Sequence, residues 1–192
     1  STYEHPYSLA RTLTTLDHFT GGRVGWNVVT SYLNSAARNL GLGDQIAHDD
    51  RYGIADEFLD VAYKLWEGSW EDGAAVRDRE AGVFTDPEKV HPIRHHGTHF
   101  DVPGIHLGEP SPQRTPVIFQ AGASPRGQEF AARHGEAIFI NGLTPELTRR
   151  TTDSIRDKAA AIGRPRDSVK ILTLATVIVA ETDELAQEKY AD

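Results

Sequence analysis

The sequence predicts an α/β fold built on a parallel sheet. Three observations lead there. From Pro116 onward, short apolar runs alternate with amphipathic helical segments through short links, as in repeated strand–helix–strand units. The run Val169 to Val179 (VKILTLATVIV) is nearly all apolar instead of alternating, as expected of a parallel strand covered on both faces. Ser, Thr, Pro and Gly punctuate the helices where capping chemistry favours them.

The elements follow in order. From His5 to His18, Leu9, Leu13 and Leu16 share one helical face, with Pro6 near the start and Gly21-Gly22 at the end. Arg23 to Ser31 (RVGWNVVTS) is rich in β-branched and aromatic residues and reads as a strand. A short helix is expected around Asn34 to Asn39. Asp49 or Asp50 is the expected cap of the next helix, whose apolar face is Ile54, Phe58, Val61, Ala62 and Leu65, ending before Gly68. Residues 69–115 are polar, with scattered Gly, Pro and His. They read as an insertion of turns with a hairpin and not as a core element.

After that come a strand at Pro116 to Gln120, a helix at Pro125 to His134 and a strand at Ala137 to Ile140. A helix from Pro145 to Ile162 has Thr144 as N-cap and Gly163 past its end. Thr182 caps a last helix, which runs to Asp192. The count is about four strands within one domain spanning 1–192. A closed eight-stranded barrel takes roughly 250 residues, so 192 residues have room for only half of one. An open doubly wound sheet competes, and periodicity does not separate the two. The chain contains no methionine and begins at Ser1, and it reads as an internal segment of a longer protein.

Composition narrows the function classes. A net charge of -8 disfavours a polyanionic partner such as nucleic acid. No stretch has the roughly 18 consecutive apolar residues of a membrane span, and a cytoplasmic protein is expected. With no cysteine there is no disulfide, thiolate metal site or thiol nucleophile. A G-x-S-x-G elbow, a P-loop and a dinucleotide fingerprint are also missing from the sequence.

Four stretches can carry chemistry. In Gln120-Ala-Gly-Ala-Ser-Pro-Arg-Gly127 a strand turns tightly into a helix, with Ser124 as N-cap and Pro125 at the first helical position. Free N–H groups and the helix dipole make such a turn a phosphate site. Gly122 and Ala123 permit close approach of the backbone, and Arg126 is a candidate extra cation. The same turn also serves as an ordinary capped connection. Asn27 brings an amide to a strand near its C-terminal end, suited to a heterocycle edge. His48 and Tyr52 lie four residues apart, on one face of a helix, and both can hydrogen-bond a phosphate or polyol. His91, His95, His96 and His99 match no metal template, so no metal is expected.

Taken in order, these motifs resemble a known family. They are Arg11 with Thr14-Thr-Leu-Asp17, the stretch Gly21 to Ser31, Ala36 to Gly41, and His48-Asp-Asp-Arg-Tyr52. Leu65-Trp66, Ser69-Trp-Glu-Asp72, Pro112-Gln113 and Gln120 to Ser124 follow. The sequence is similar to bacterial luciferase-like monooxygenases of the nitrilotriacetate, dibenzothiophene-sulfone and long-chain alkane group. Val102 to Gly122 resembles the alkane branch in particular. The resemblance implies a TIM-like (β/α)8 barrel with insertions, whose first three strands and last strand lie outside this segment.

The resemblance further implies an enzyme that uses reduced FMN from a separate NAD(P)H:flavin reductase, together with O2, to oxygenate a small organic substrate. It places flavin contacts on His48, Tyr52 and Ser124, Asn27 near the isoalloxazine, and the backbone at Gly122 and Ala123 near the phosphate. It also implies a homo-oligomer, with residues 69–115 over the barrel mouth or at a subunit contact. No catalytic residue is assigned; His48 is the candidate for more than binding. The alternatives are an F420-dependent barrel oxidoreductase, a non-catalytic flavin-binding protein and, more distantly, a metal-dependent hydrolase built on the histidine group.

Overall fold

In the computed structural model, which describes residues 1–142, 144–174 and 176–191, a parallel sheet carries helices on one face. Its strands are β1 (Gly25–Val28), β6 (Val117–Gln120), β7 (Ala137–Asn141) and β8 (Lys170–Leu174). They lie in the order β1-β6-β7-β8, every pair parallel. Strand order follows chain order without the reversal that marks a doubly wound sheet. The helices are α1 (Pro6–Thr20), α2 (Asn34–Asn39), α3 (His48–Tyr63), α4 (Pro125–His134), α5 (Pro145–Ala161) and α6 (Asp183–Ala191).

Register explains the two faces of the sheet. Val28, Gln120, Ile138 and Ile171 form one cross-strand row, and Asn27, Phe119, Ala137 and Lys170 form the next. The first row points at the helices. Val28 and Ile118 pack with Tyr52, Ala55 and Leu59 of α3 and Phe130 of α4. Ile138 and Ile140 pack with Ala131 and Ala132 of α4 and Ile155 and Ala159 of α5. The opposite face is open, and Phe119 and Phe139 stack on it with ring centroids 6.0 Å apart.

Capping residues placed several ends well. Ser124 accepts a hydrogen bond from the Gly127 N–H, and Thr144 accepts one from Leu147. Gly21 closes α1 in the left-handed conformation. Thr182 accepts from Leu185 at the start of α6.

Other expectations need correcting. The buried face of α1 is Ala10, Leu13, Thr14 and Asp17, while Leu16 is exposed, because Thr14 and Asp17 find polar partners in the 106–113 loop. The first strand is shorter than Arg23 to Ser31, since Ser31 turns into the left-handed region. Neither Asp49 nor Asp50 caps α3. Ala47 holds that position, and the two acids sit in the first turn, where the dipole favours them. Phe58, Val61, Ala62 and Leu65 are buried as expected, but Ile54 is only half-buried, and Arg51, Tyr52, Ala55 and Leu59 join the contact face. The helix ends in a π turn at Lys64–Gly68.

Residues 69–115 carry two hairpins, β2 (Ala75–Asp78) with β3 (Val83–Thr85) and β4 (His95–His96) with β5 (Asp101–Val102). They do enter the core: Trp70, Ala74, Val102 and His106 are buried. Their polarity misleads because polar side chains make the buried connections. The expected strand Val169 to Val179 is reduced to β8, and it passes through Ala175, which lies outside the described residues, as does Asp192. Val177 and Val179 are in no strand, and Leu174, Val177 and Val179 are exposed, because β8 forms a sheet edge.

Candidate functional site

The C-terminal ends of β1 and β6 open into a cleft of about 240 Å³. It is lined by residues 28–32, by His48, Arg51 and Tyr52 of α3, and by residues 120–124. The sheet supplies the floor, because adjacent parallel strands end together. The N-terminus of α3 supplies one wall and the turn into α4 the other.

The turn is close-packed. A Cβ at Gly127 would come within 2.8 Å of the Tyr52 hydroxyl and 3.0 Å of Ser124 Oγ. A Cβ at Gly122 would meet the Gln120 carboxamide at 2.5 Å and Gly127 Cα at 3.1 Å. Two glycines are therefore required for the turn to sit against α3. Ser124 Oγ accepts from Gly127 N–H at 3.0 Å and lies 3.3 Å from His48 Nε2. The His48 and Tyr52 rings are 5.1 Å apart, as their spacing on the helix predicts. His48 Nδ1 is 2.6 Å from Asp49 Oδ1, which directs Nε2 toward Ser124.

Five of the six expected contacts, His48, Tyr52, Gly122, Ala123 and Ser124, thus gather in one cleft. Asn27 does not join them. It lies on the open face of the sheet, in register with Phe119. Arg126 does not serve the cleft either. It is ion-paired with Asp56 and stands over the Tyr52 ring at 5.5 Å. Burial acts to raise the Asp56 carboxyl, but hydrogen bonds from His134 and Arg126 outweigh it and hold the group below the ordinary range.

Two cleft residues escape sequence reading. Gln120 is almost fully buried, and its Oε1 has no partner. Arg51 is 7% exposed, its Nη1 donates to the Ile46 carbonyl, and its Nε has no partner. Among the described residues, no acidic side chain lines the cleft. A site with several donors and no carboxylate suits an anion.

The four histidines of the 91–99 stretch take separate partners. His91 pairs with Glu71 at 2.6 Å, His95 with Glu57 at 3.1 Å and His96 with Asp101 at 2.9 Å, while the His99 ring packs against Phe100. No group of three or more His, Asp or Glu able to share a metal ion occurs among the described residues. None of the described helices is long and apolar enough to cross a membrane.

Comparison with known proteins decides the family. Residues 2–192 match the family model described as luciferase-like monooxygenase. The chain belongs to this family. Dimethyl-sulfide monooxygenase of Hyphomicrobium sulfonivorans is 60% identical over 191 residues, covering 100% of this chain and 40% of that protein. Long-chain alkane monooxygenase of Geobacillus thermodenitrificans is 55% identical over 189 residues, covering 98% and 43%.

The solved structure of that alkane enzyme superposes with a TM-score of 0.91 over 98% of this chain and 43% of its own. Riboflavin lyase, solved with modified FMN and riboflavin, is 45% identical and superposes at 0.92 over 99% and 42%. The group expected from the motifs is among the matches. The luciferase-like segment spans about two fifths of the length of the curated relatives it matches.

Proposed function

We propose that this segment is an arc of a (β/α)8 barrel in a monooxygenase that uses reduced FMN, supplied by a separate flavin reductase, and O2 to oxygenate a small organic substrate. The observation that carries the reading is the donor-rich, acid-free cleft where β1 and β6 end against the first turns of α3 and α4. Family membership and relatives named as monooxygenases support the activity. The unreversed strand order and the open apolar face support a barrel.

The residues present fit the phosphate end of FMN. The cleft of about 240 Å³ is smaller than the roughly 300–1,000 Å³ of a complete ligand site, which suits one end of the cofactor. Ser124 and the N–H groups of the turn would hold the phosphate, with His48 and Tyr52 hydrogen-bonding from α3. Gly122 and Gly127 keep the backbone close. Asn27 and the Phe119–Phe139 pair lie on the face that would turn into a barrel, Asn27 suited to the isoalloxazine edge and the phenyl rings to excluding water.

Reduced FMN supplies the electrons that activate oxygen. This chain's part is to bind and orient the cofactor, so no residue here is assigned as a nucleophile. The test is anaerobic titration of the complete protein with reduced FMN, followed by oxygen uptake with a flavin reductase and a panel of sulfides and alkanes. Failure to bind reduced FMN sinks the proposal. Binding, with oxygen uptake coupled to product, supports it.

A further inference from the structure

The cleft contains one guanidinium, Arg51, and no carboxylate among the described residues neutralises it. Its side chain is nine-tenths buried in a chain of net charge -8. Among the described residues it forms no ion pair, which sets it apart from Arg126, Arg114 and Arg166. Its one hydrogen bond goes to the Ile46 carbonyl, and Nε is left without a partner. A buried cation with so little compensation is costly unless an anion completes the site. The acids nearest in sequence do not help: Asp49 pairs with His48, and Asp50 is exposed on the first turn of α3.

The polar side chains that line the cleft with Arg51 are hydroxyls, an imidazole and a carboxamide: Thr30, Ser31, Tyr32, His48, Tyr52, Gln120 and Ser124, the last of these capping α4 and in contact with His48. Gln120 is the other lining residue of the cleft with an orphaned buried atom, and it is neutral. A helix N-terminus alone attracts half a charge; an arginine beside it adds a full one, with a planar fork matched to a phosphate.

We infer that Arg51 is the counter-charge that makes this cleft selective for a phosphomonoester, so that it, and not Arg126, distinguishes FMN from riboflavin. The inference rests on the FMN reading above but concerns the phosphate alone, so the two can fail separately.

The experiment compares FMN with riboflavin, which lacks only the phosphate. Both are titrated by flavin fluorescence into the complete protein as wild type, Arg51→Gln, Arg51→Lys and Arg126→Gln. Stabilisation by inorganic phosphate, against chloride at equal ionic strength, is read by thermal melting. Arg51→Gln is expected to weaken FMN about tenfold or more while riboflavin changes less than about twofold. It is also expected to lose the phosphate-dependent melting shift. Arg51→Lys retains part of the FMN preference, and it carries the test if Arg51→Gln does not fold. Arg126→Gln keeps the preference.

The inference is overturned if Arg51→Gln keeps the preference, if both flavins weaken equally, or if Arg126→Gln alone loses it. Equal weakening would mean that Arg51 serves the fold, for example by pairing with Gln120. If the wild type binds neither flavin but phosphate stabilises it and not Arg51→Gln, the FMN reading falls and the anion site stands. If the wild type responds to neither flavin nor phosphate, both fall.

Discussion

Along β6 and β7 the chain buries Ile118, Ile138 and Ile140 against Phe130, Ala131 and Ile155. Across residues 69–115 the same task falls to polar side chains reaching backbone. Glu57 leaves α3 to accept N–H groups of Thr98, His99 and Phe100, and it also meets His95. Asp17 leaves α1 to accept from the backbone and side chain of Gln113. Arg114 donates to the carbonyls of Trp66 and Trp70, and Ser69 bridges His91 and His106. A sheet satisfies its own backbone groups, so its side chains are free to be apolar. An irregular segment has no ladder, so other elements must send it partners. The two regions should therefore fail in different ways.

The largest effect is expected on the apolar side. Phe130→Ala removes a fully buried ring packed between the sheet and α3, and should cost about 3–5 kcal/mol in denaturant unfolding of the complete protein. A cost below about 1 kcal/mol would break the comparison. On the polar side, Glu57→Ala should cost only about 1–2 kcal/mol, because the N–H groups of Thr98 and His99 that it holds are exposed and that of Phe100 is half-buried, so water can replace part of what is lost. Its signature is local: amides 98–100 lose hydrogen-exchange protection while those of β6 and β7 keep theirs. Gly97→Ala should reproduce this, because a methyl group there overlaps the Glu57 carboxylate.

Acid sharpens the contrast further. Burial acts to raise Glu57 and Asp17, but their hydrogen bonds, from His95 and Phe100 in one case and Gln113 in the other, outweigh it and hold both below the usual carboxylate range. Their stabilisation is complete above the ordinary carboxylate pKa and is lost as pH falls through the lowered values. His106 acts earlier. Burial, aided by Arg11, lowers it from 6.5 to about 4. The unfolded chain therefore takes up a proton first, and stability falls as pH drops from about 6.5 to about 4. That loss is on the order of 3 kcal/mol for a fully buried imidazole. The Trp70 indole donates to the His106 carbonyl, so tryptophan fluorescence should respond at a higher pH than far-ultraviolet dichroism of the sheet. Coincident transitions would refute the separation.

The smallest effect belongs to the cleft turn. Ser124→Ala removes the cap of α4 and a proposed phosphate ligand, and should weaken FMN by about 1–2 kcal/mol. Unchanged affinity would contradict the assignment of this residue.

Much of the architecture was legible because its signals are local. Pro125–His134 and Asn34–Asn39 have the expected bounds, and Ser124 and Thr144 cap as their residue types predict. His48 and Tyr52 meet because helical geometry puts residues four apart on one face. The rest depended on distant partners. Arg126 looks like a free cation until Asp56, one turn beyond Tyr52 on α3, comes into reach. Arg51 looks like a surface arginine until the helix packs it inward. The polarity of residues 69–115 hides a buried role, because the atoms they satisfy belong to α1 and α3.

The sequence by itself determined the α/β class, the parallel strand count, the caps at Ser124, Thr144 and Thr182, and the turn that gathers Gly122, Ala123 and Ser124 at a strand end. Periodicity and capping act within one or two turns of chain, so they need no knowledge of distant neighbours. Only the tertiary structure decided which arginine lines the cleft, which face of the sheet Asn27 occupies, and that β8 lies at a sheet edge with Leu172 and Leu174 exposed. Those outcomes depend on which charges and surfaces meet across dozens of residues, and burial and electrostatics are properties of that meeting.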